Sequence, residues 1–125
     1  IGPSGGMGKA AGSAGRQEYS YTKSIDVQAI CLDDFVFEQR NPAPQVVKMD
    51  IEGGEVLALP GMSRVLEQVK PVMMLELHGP EAASVAWQIL KKAGYLICQM
   101  QPTYPQVDSL DGLDWKAYLL AFPEA

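Results

Sequence analysis

Histidine is all but missing from this chain and cysteine is scarce: His78, Cys31 and Cys98 are the only residues of these two types among 125. No Cys-x-x-Cys or Cys/His spacing can be assembled from them. That excludes a zinc-finger framework, a dithiol redox motif and a disulfide-stapled scaffold, and no metal centre is expected. Both cysteines lie in apolar segments and are expected as reduced core residues of a cytoplasmic protein. Long apolar runs are lacking too. None approaches the roughly 18 residues of a membrane span, and the first residues carry no secretory hydrophobic segment. Positive charge is in deficit: 10 basic against 15 acidic side chains give a formal net charge of −5. Neither nucleic acid nor an anionic membrane is therefore expected as a partner.

What is present is an ordinary globular composition, 47% hydrophobic and 20% charged, of a length that suits one domain. Residues 1–24 are rich in Gly, Ser and Ala without apolar period and are expected as a flexible loop, followed by a domain over 25–125. Ile25, Val27, Ala29 and Cys31 alternate with polar residues, the pattern of a half-buried strand. Leu32-Asp33-Asp34-Phe35 opens a short helix, with Asp33 or Asp34 as its cap. After the break at Asn41-Pro42-Ala43-Pro44, residues 46–51 read as a buried, parallel strand. Gly53 and Gly54 turn into a helix around Glu55–Leu59, Pro60-Gly61 interrupts it, and Ser63 restarts it as far as Val69.

A second apolar strand spans 72–77, and a helix runs from Glu81 to Ala93 with Val85, Ile89 and Leu90 at helical spacing. Tyr95–Met100 and Lys116–Phe122 are the last strands. Strands alternating with helices imply an α/β fold with a mostly parallel sheet, the last strand antiparallel.

Two motifs tempt and fail. Gly6-Met7-Gly8-Lys9-Ala10-Ala11 fits the loose G-x-G-x-x-A dinucleotide pattern, but a single apolar residue, Ile1, stands where a strand must feed the loop. Asp108, Asp111 and Asp114 lack the alternate spacing and closing Glu of an EF-hand.

The most informative run is Val46-Val47-Lys48-Met49-Asp50-Ile51-Glu52-Gly53-Gly54-Glu55. An apolar strand ends in three acids and two glycines, where open α/β sheets put their ligands. Pro71-Val72-Met73-Met74-Leu75-Glu76-Leu77-His78 repeats the theme with an acid and the lone histidine.

With Leu32-Asp33-Asp34 before them, Leu57 and Gly61 between them, and Pro71 to Glu76 closing the series, these runs resemble the FkbM-family methyltransferase signature, LDD … KxDxEGxE … L.G … P…xE. The resemblance covers about residues 25 to 100. Gly54 stands where Ala is usual and Pro60 where a helix former is commoner. The resemblance implies a class I, Rossmann-like fold that uses S-adenosylmethionine to methylate oxygen on sugars or natural products. In that family the glycine-rich cofactor loop and the ribose-binding acid lie on the first two strands, which would precede Ile1. The chain is therefore expected to be the C-terminal part of the catalytic domain, silent alone.

Methyl transfer from a sulfonium is an in-line displacement that demands alignment, and an alcohol acceptor needs a base. Asp50 is the first candidate, facing the methyl donor or holding the acceptor hydroxyl. His78 is read as the base oriented by Glu76, or else as a turn residue. Glu52 and Glu55 are read as acceptor-binding groups, or as turn and helix-cap acids. Lys48 is a counter-ion for one of these acids. Two other readings stand beside methyl transfer: a non-enzymatic α/β module that binds through an exposed sheet edge, and glycoside hydrolysis by Asp50 and Glu76. Loss of the upstream strands would bare an edge and favour self-association.

Overall fold

The computed structural model describes residues 10–14 and 25–124. The expected loop at 1–24, including most of Gly6–Ala11, thus falls largely outside the described residues. The elements are β1 (Val46–Met49), α1 (Glu55–Ala58), β2 (Val72–His78), α2 (Pro80–Lys92), β3 (Tyr95–Gln99) and β4 (Lys116–Pro123). They form an α/β domain around a four-stranded sheet of order β1-β2-β4-β3. None of the helices among the described residues is long and apolar enough to cross a membrane.

β1 pairs parallel to β2, while β4 pairs antiparallel to both β2 and β3. The antiparallel last strand is as the pattern predicts. The sheet is nevertheless less parallel than expected, because β4 lies between β2 and β3 and one hydrogen-bonded pair in three is parallel. Alternation explains the insertion. Met73, Leu75 and Leu77 of β2 face Ala121, Leu119 and Ala117 of β4 in register, and all six are buried. Partners directly opposite share a sheet face, so β4 extends the apolar face that α2 covers with Ala82, Ala83, Ala86 and Leu90. On β3, Tyr95 is buried and its hydroxyl donates to the Pro71 carbonyl at 2.9 Å. Burial pushes that phenol up to about 12.

Two expectations need correction. Residues 25–31 form no strand: Ile25 and Val27 are 86% and 76% exposed, and Cys31 is exposed while Cys98 is buried. Alternation supplies a pattern, but a strand also needs a hydrogen-bonding neighbour, and among the described residues this segment pairs with none. The strand at 46–51 stops at Met49, and Met49 is its one buried residue, because β1 is the edge strand among the described residues. Pro60-Gly61 does interrupt the α-helix as expected, since α1 ends at Ala58 and a 3-10 segment holds the pair. From Glu55 the chain stays right-handed helical through a 3-10 turn at Leu59–Met62 and a wide turn at Val65–Val69. Proline in the first turn of a helical segment forfeits no hydrogen bond. A Cβ at Gly61 would lie tightly against Cys31 Sγ, at 3.0 Å.

Asp33 does cap, though not its own helix. Its two carboxylate oxygens accept from the backbone N–H groups of Arg64 and Val65, both at 2.9 Å, 31 and 32 residues away. The Leu-Asp-Asp segment is thereby stapled to the turn at 63–69, where Arg64 also pairs with Glu38 at 3.0 Å and lies over Phe37. Asp33→Ala is expected to lower the unfolding free energy by about 0.5–2 kcal/mol. Urea denaturation measures it; the exposed Asp34→Ala is expected to cost less, and equal losses would contradict the cap.

Candidate active site

Parallel strands β1 and β2 run side by side with Val46 opposite Val72 and Met49 opposite Leu75. Their carboxyl ends therefore finish together, carrying Asp50 just past one and Glu76 and His78 on the other. Between β1 and α1 the chain must reverse within a few residues. Glu52 (φ +53°) and Gly53 (φ +90°) both take left-handed conformations to do so. Glycine accepts this freely, whereas a glutamate in that region stores strain that surrounding contacts must hold. The Gly53 carbonyl accepts from Ala14 N–H at 2.9 Å, and the Gly54 N–H closes the turn on the Ile51 carbonyl.

The turn delivers Glu55 to the first position of α1, where it is fully buried. Its Oε1 lies 3.1 Å from His78 Nδ1 and accepts the Ile51 backbone N–H at 3.3 Å. Where an ionised Glu55 is the acceptor, Nδ1 carries the hydrogen. His78 is 1% exposed, and Trp115 packs edge-on against its ring with centroids 6.0 Å apart. The other ring nitrogen, Nε2, looks toward three more carboxylates. Glu76 Oε1 is at 3.5 Å, Glu52 Oε2 at 3.6 Å and Asp50 Oδ1 at 4.0 Å. Nε2 is buried and makes no hydrogen bond, and neither does Glu55 Oε2.

Two lysines offset this charge. Lys48 reaches Asp50 at 3.3 Å, and Lys116 binds Glu76 at 2.6 Å, with the Tyr118 hydroxyl beyond it at 3.5 Å. The hydrogen bond to Glu76 holds the Lys116 ammonium above its ordinary range. Beyond Lys116 and Tyr118 a shallow cleft of about 170 Å³ opens between β3, β4 and their connecting loop, with Gln99, Met100 and Leu113 in its wall. That is smaller than a typical small-molecule site of roughly 300 Å³ or more.

Asp50, Glu52, Glu55, Glu76 and His78, all expected in the site, converge on one imidazole. Their arrangement differs from the sequence expectation. The carboxylate that orients His78 is Glu55, whereas Glu76 stands by the opposite nitrogen and is engaged by Lys116. Glu55 is sealed from solvent, away from any acceptor, and it does accept a backbone N–H, that of Ile51. Lys48 is the expected counter-ion, and its partner is Asp50. Lys116, Tyr118 and Trp115 were not foreseen, because nothing in their local sequence ties them to strands forty residues earlier.

An α/β domain with its acidic site at the paired carboxyl ends of parallel strands is the class that fold and site define. The chain belongs to the FkbM methyltransferase family: it matches the methyltransferase FkbM domain over residues 2–97. It is also similar to the hexuronic acid methyltransferase AglP of Haloferax volcanii, 36% identical over 64 residues. That alignment takes in 51% of this chain and 26% of the relative, so the chain spans only about a quarter of its relative's length. No solved structure matches the chain.

The Glu55–His78 contact is expected to be energetically coupled. Glu55→Ala should lower stability by about 1–3 kcal/mol, since it strands a buried donor. Combined with His78→Ala, the losses should be non-additive by about 0.5–3 kcal/mol in urea unfolding. Strictly additive losses would show that the two groups do not interact.

Proposed function

We propose that this chain is the C-terminal part of a class I, Rossmann-like catalytic domain that moves a methyl group from S-adenosylmethionine to a hydroxyl oxygen of a saccharide or related acceptor. The observation that carries the reading is the family motif's own geometry: Asp50 and Glu52 stand 32% and 35% exposed at a parallel strand's end, above a buried Glu55–His78 pair. The likeness to a hexuronic acid methyltransferase supports a sugar acceptor.

S-adenosylmethionine supplies, when bound, an electrophilic methyl carbon on a positively charged sulfur. The residues present suit one end of such a donor, because a sulfonium is a cation and the rim at Asp50 and Glu52 is anionic. Gly2 to Gly8, part of the glycine-rich stretch of the sequence, lie outside the described residues. Asp50 would accept the hydrogen of the acceptor hydroxyl and take up its proton, making that oxygen a better nucleophile for the donor's methyl group. Glu52 holds the acceptor from the other side. His78 and Glu55 are positioning groups beneath them, since neither reaches solvent.

The test is transfer of a labelled methyl from S-adenosylmethionine to a panel of neutral and acidic sugars by the full-length protein. Asp50→Asn is expected to lower kcat by about 10²- to 10⁴-fold while leaving the circular dichroism unchanged. A full-length protein that neither binds the donor nor labels any acceptor would defeat the reading.

One observation favours a second reading, a non-enzymatic module. Among the described residues β1 is hydrogen-bonded on one side alone, and its Val46 is exposed. Open edges recruit further strands. On that reading the chain self-associates as its concentration rises, and sedimentation giving a monomer at millimolar concentration would remove it.

A further inference from the structure

We infer that Asp50, Glu52 and His78 form a binding site for one divalent first-row transition-metal ion, with Glu55 as its outer anchor. The inference begins with the imidazole. When a neutral ring donates Nδ1–H to buried Glu55, Nε2 presents a bare lone pair. Nε2 is buried, has no hydrogen-bond partner among the described residues, and has three carboxylate oxygens at 3.5–4.0 Å. Lone pairs aimed at one another across such distances are unfavourable unless a cation lies between them. A group of exposed acids alone would mean little; a sealed, unpartnered histidine nitrogen aimed into it supplies what the acids lack.

Charge agrees. Around His78 stand four carboxylates (Asp50, Glu52, Glu55 and Glu76) and two ammonium groups (Lys48 and Lys116). Their formal charges leave a surplus of two negatives, which one divalent ion cancels with the imidazole neutral. Geometry agrees as well. One atom from each of Asp50, Glu52 and His78 lies within 4.8 Å of the others. Ligands bound at about 2.0–2.2 Å around one tetrahedral ion stand roughly 3.3–3.6 Å apart. Small rotations of the half-exposed Asp50 and Glu52 side chains close that difference. Glu76 is excluded from the set by its 2.6 Å pairing with Lys116.

The Glu55–His78 contact then has the form of the outer-shell bond that orients metal-ligating histidines, a carboxylate accepting from the second ring nitrogen. Two carboxylates with one imidazole suit Mn²⁺, Fe²⁺ or Zn²⁺; Mg²⁺ prefers oxygen alone. Three protein ligands leave coordination positions open on the solvent side, where an acceptor oxygen could be polarised. That last role rests on the methyl-transfer reading above; binding of the ion does not.

The test uses the full-length protein stripped with a chelator and titrated with Mn²⁺, following free Mn²⁺ by electron paramagnetic resonance, with no methyl donor present. One bound ion per chain is expected, carrying ¹⁴N modulation from a coordinated imidazole. Asp50→Asn and Glu52→Gln, both at half-exposed positions, should abolish binding with the fold intact by circular dichroism. Glu55→Gln should weaken it about 10- to 100-fold, and Asp111→Asn in the β3–β4 loop should leave it unchanged. Zn²⁺ should displace Mn²⁺ far better than Mg²⁺ does. A folded protein that binds no Mn²⁺, binding that survives both Asp50→Asn and Glu52→Gln, or bound Mn²⁺ without ¹⁴N modulation would each overturn the inference. Because no methyl transfer is read, a failure here leaves the proposed reaction to stand or fall by its own assay.

Discussion

The buried contact between Glu55 and His78 is the constraint on which the rest of the site depends. A carboxylate sealed from water is costly unless something nearby compensates it, and here the compensation comes from the end of a different strand. The contact ties the start of α1 to the carboxyl end of β2, so the turn between β1 and α1 has to deliver Glu55 at that depth. The left-handed Glu52 and Gly53 are the backbone consequence. Once Nδ1 is committed to Glu55, Nε2 has to face Asp50, Glu52 and Glu76, because those are the groups the two strand ends place there.

Four acids around one imidazole would repel one another without the neighbouring strand. β4 runs antiparallel beside β2 and sets Lys116 opposite His78 and Tyr118 opposite Glu76. Lys116 thereby separates Glu76 from the other acids, and Lys48 does part of the same work for Asp50 from β1 itself. The two most exposed carboxylates are left facing outward over a polar floor. That arrangement suits recognition of something cationic or of a hydroxyl that must give up its proton.

Much of this was legible in the residues. β2, α2, β3 and β4 follow from periodicity, since each buries a face whose spacing matches its own geometry. The acids of the β1–α1 turn and of β2 were marked as a site because carboxylates at buried strand ends require an explanation. The segment at 25–31 misled, because alternation fits a strand yet cannot supply its partner. Cys31 misled for the same reason. Asp33 was recognised as a cap, but its target lies more than thirty residues away, beyond the reach of any local pattern.

The chain's own order of residues determined that this is an α/β domain with an acidic cluster and a lone histidine near adjacent strand ends, because hydrophobic spacing and local turn chemistry act over a few residues. Tertiary structure alone decided which carboxylate holds which nitrogen, that β4 inserts between β2 and β3, and that Lys116 engages Glu76. Those outcomes depend on distances between groups 23 to 40 residues apart in the chain, and only packing of the whole sheet against α2 sets such distances.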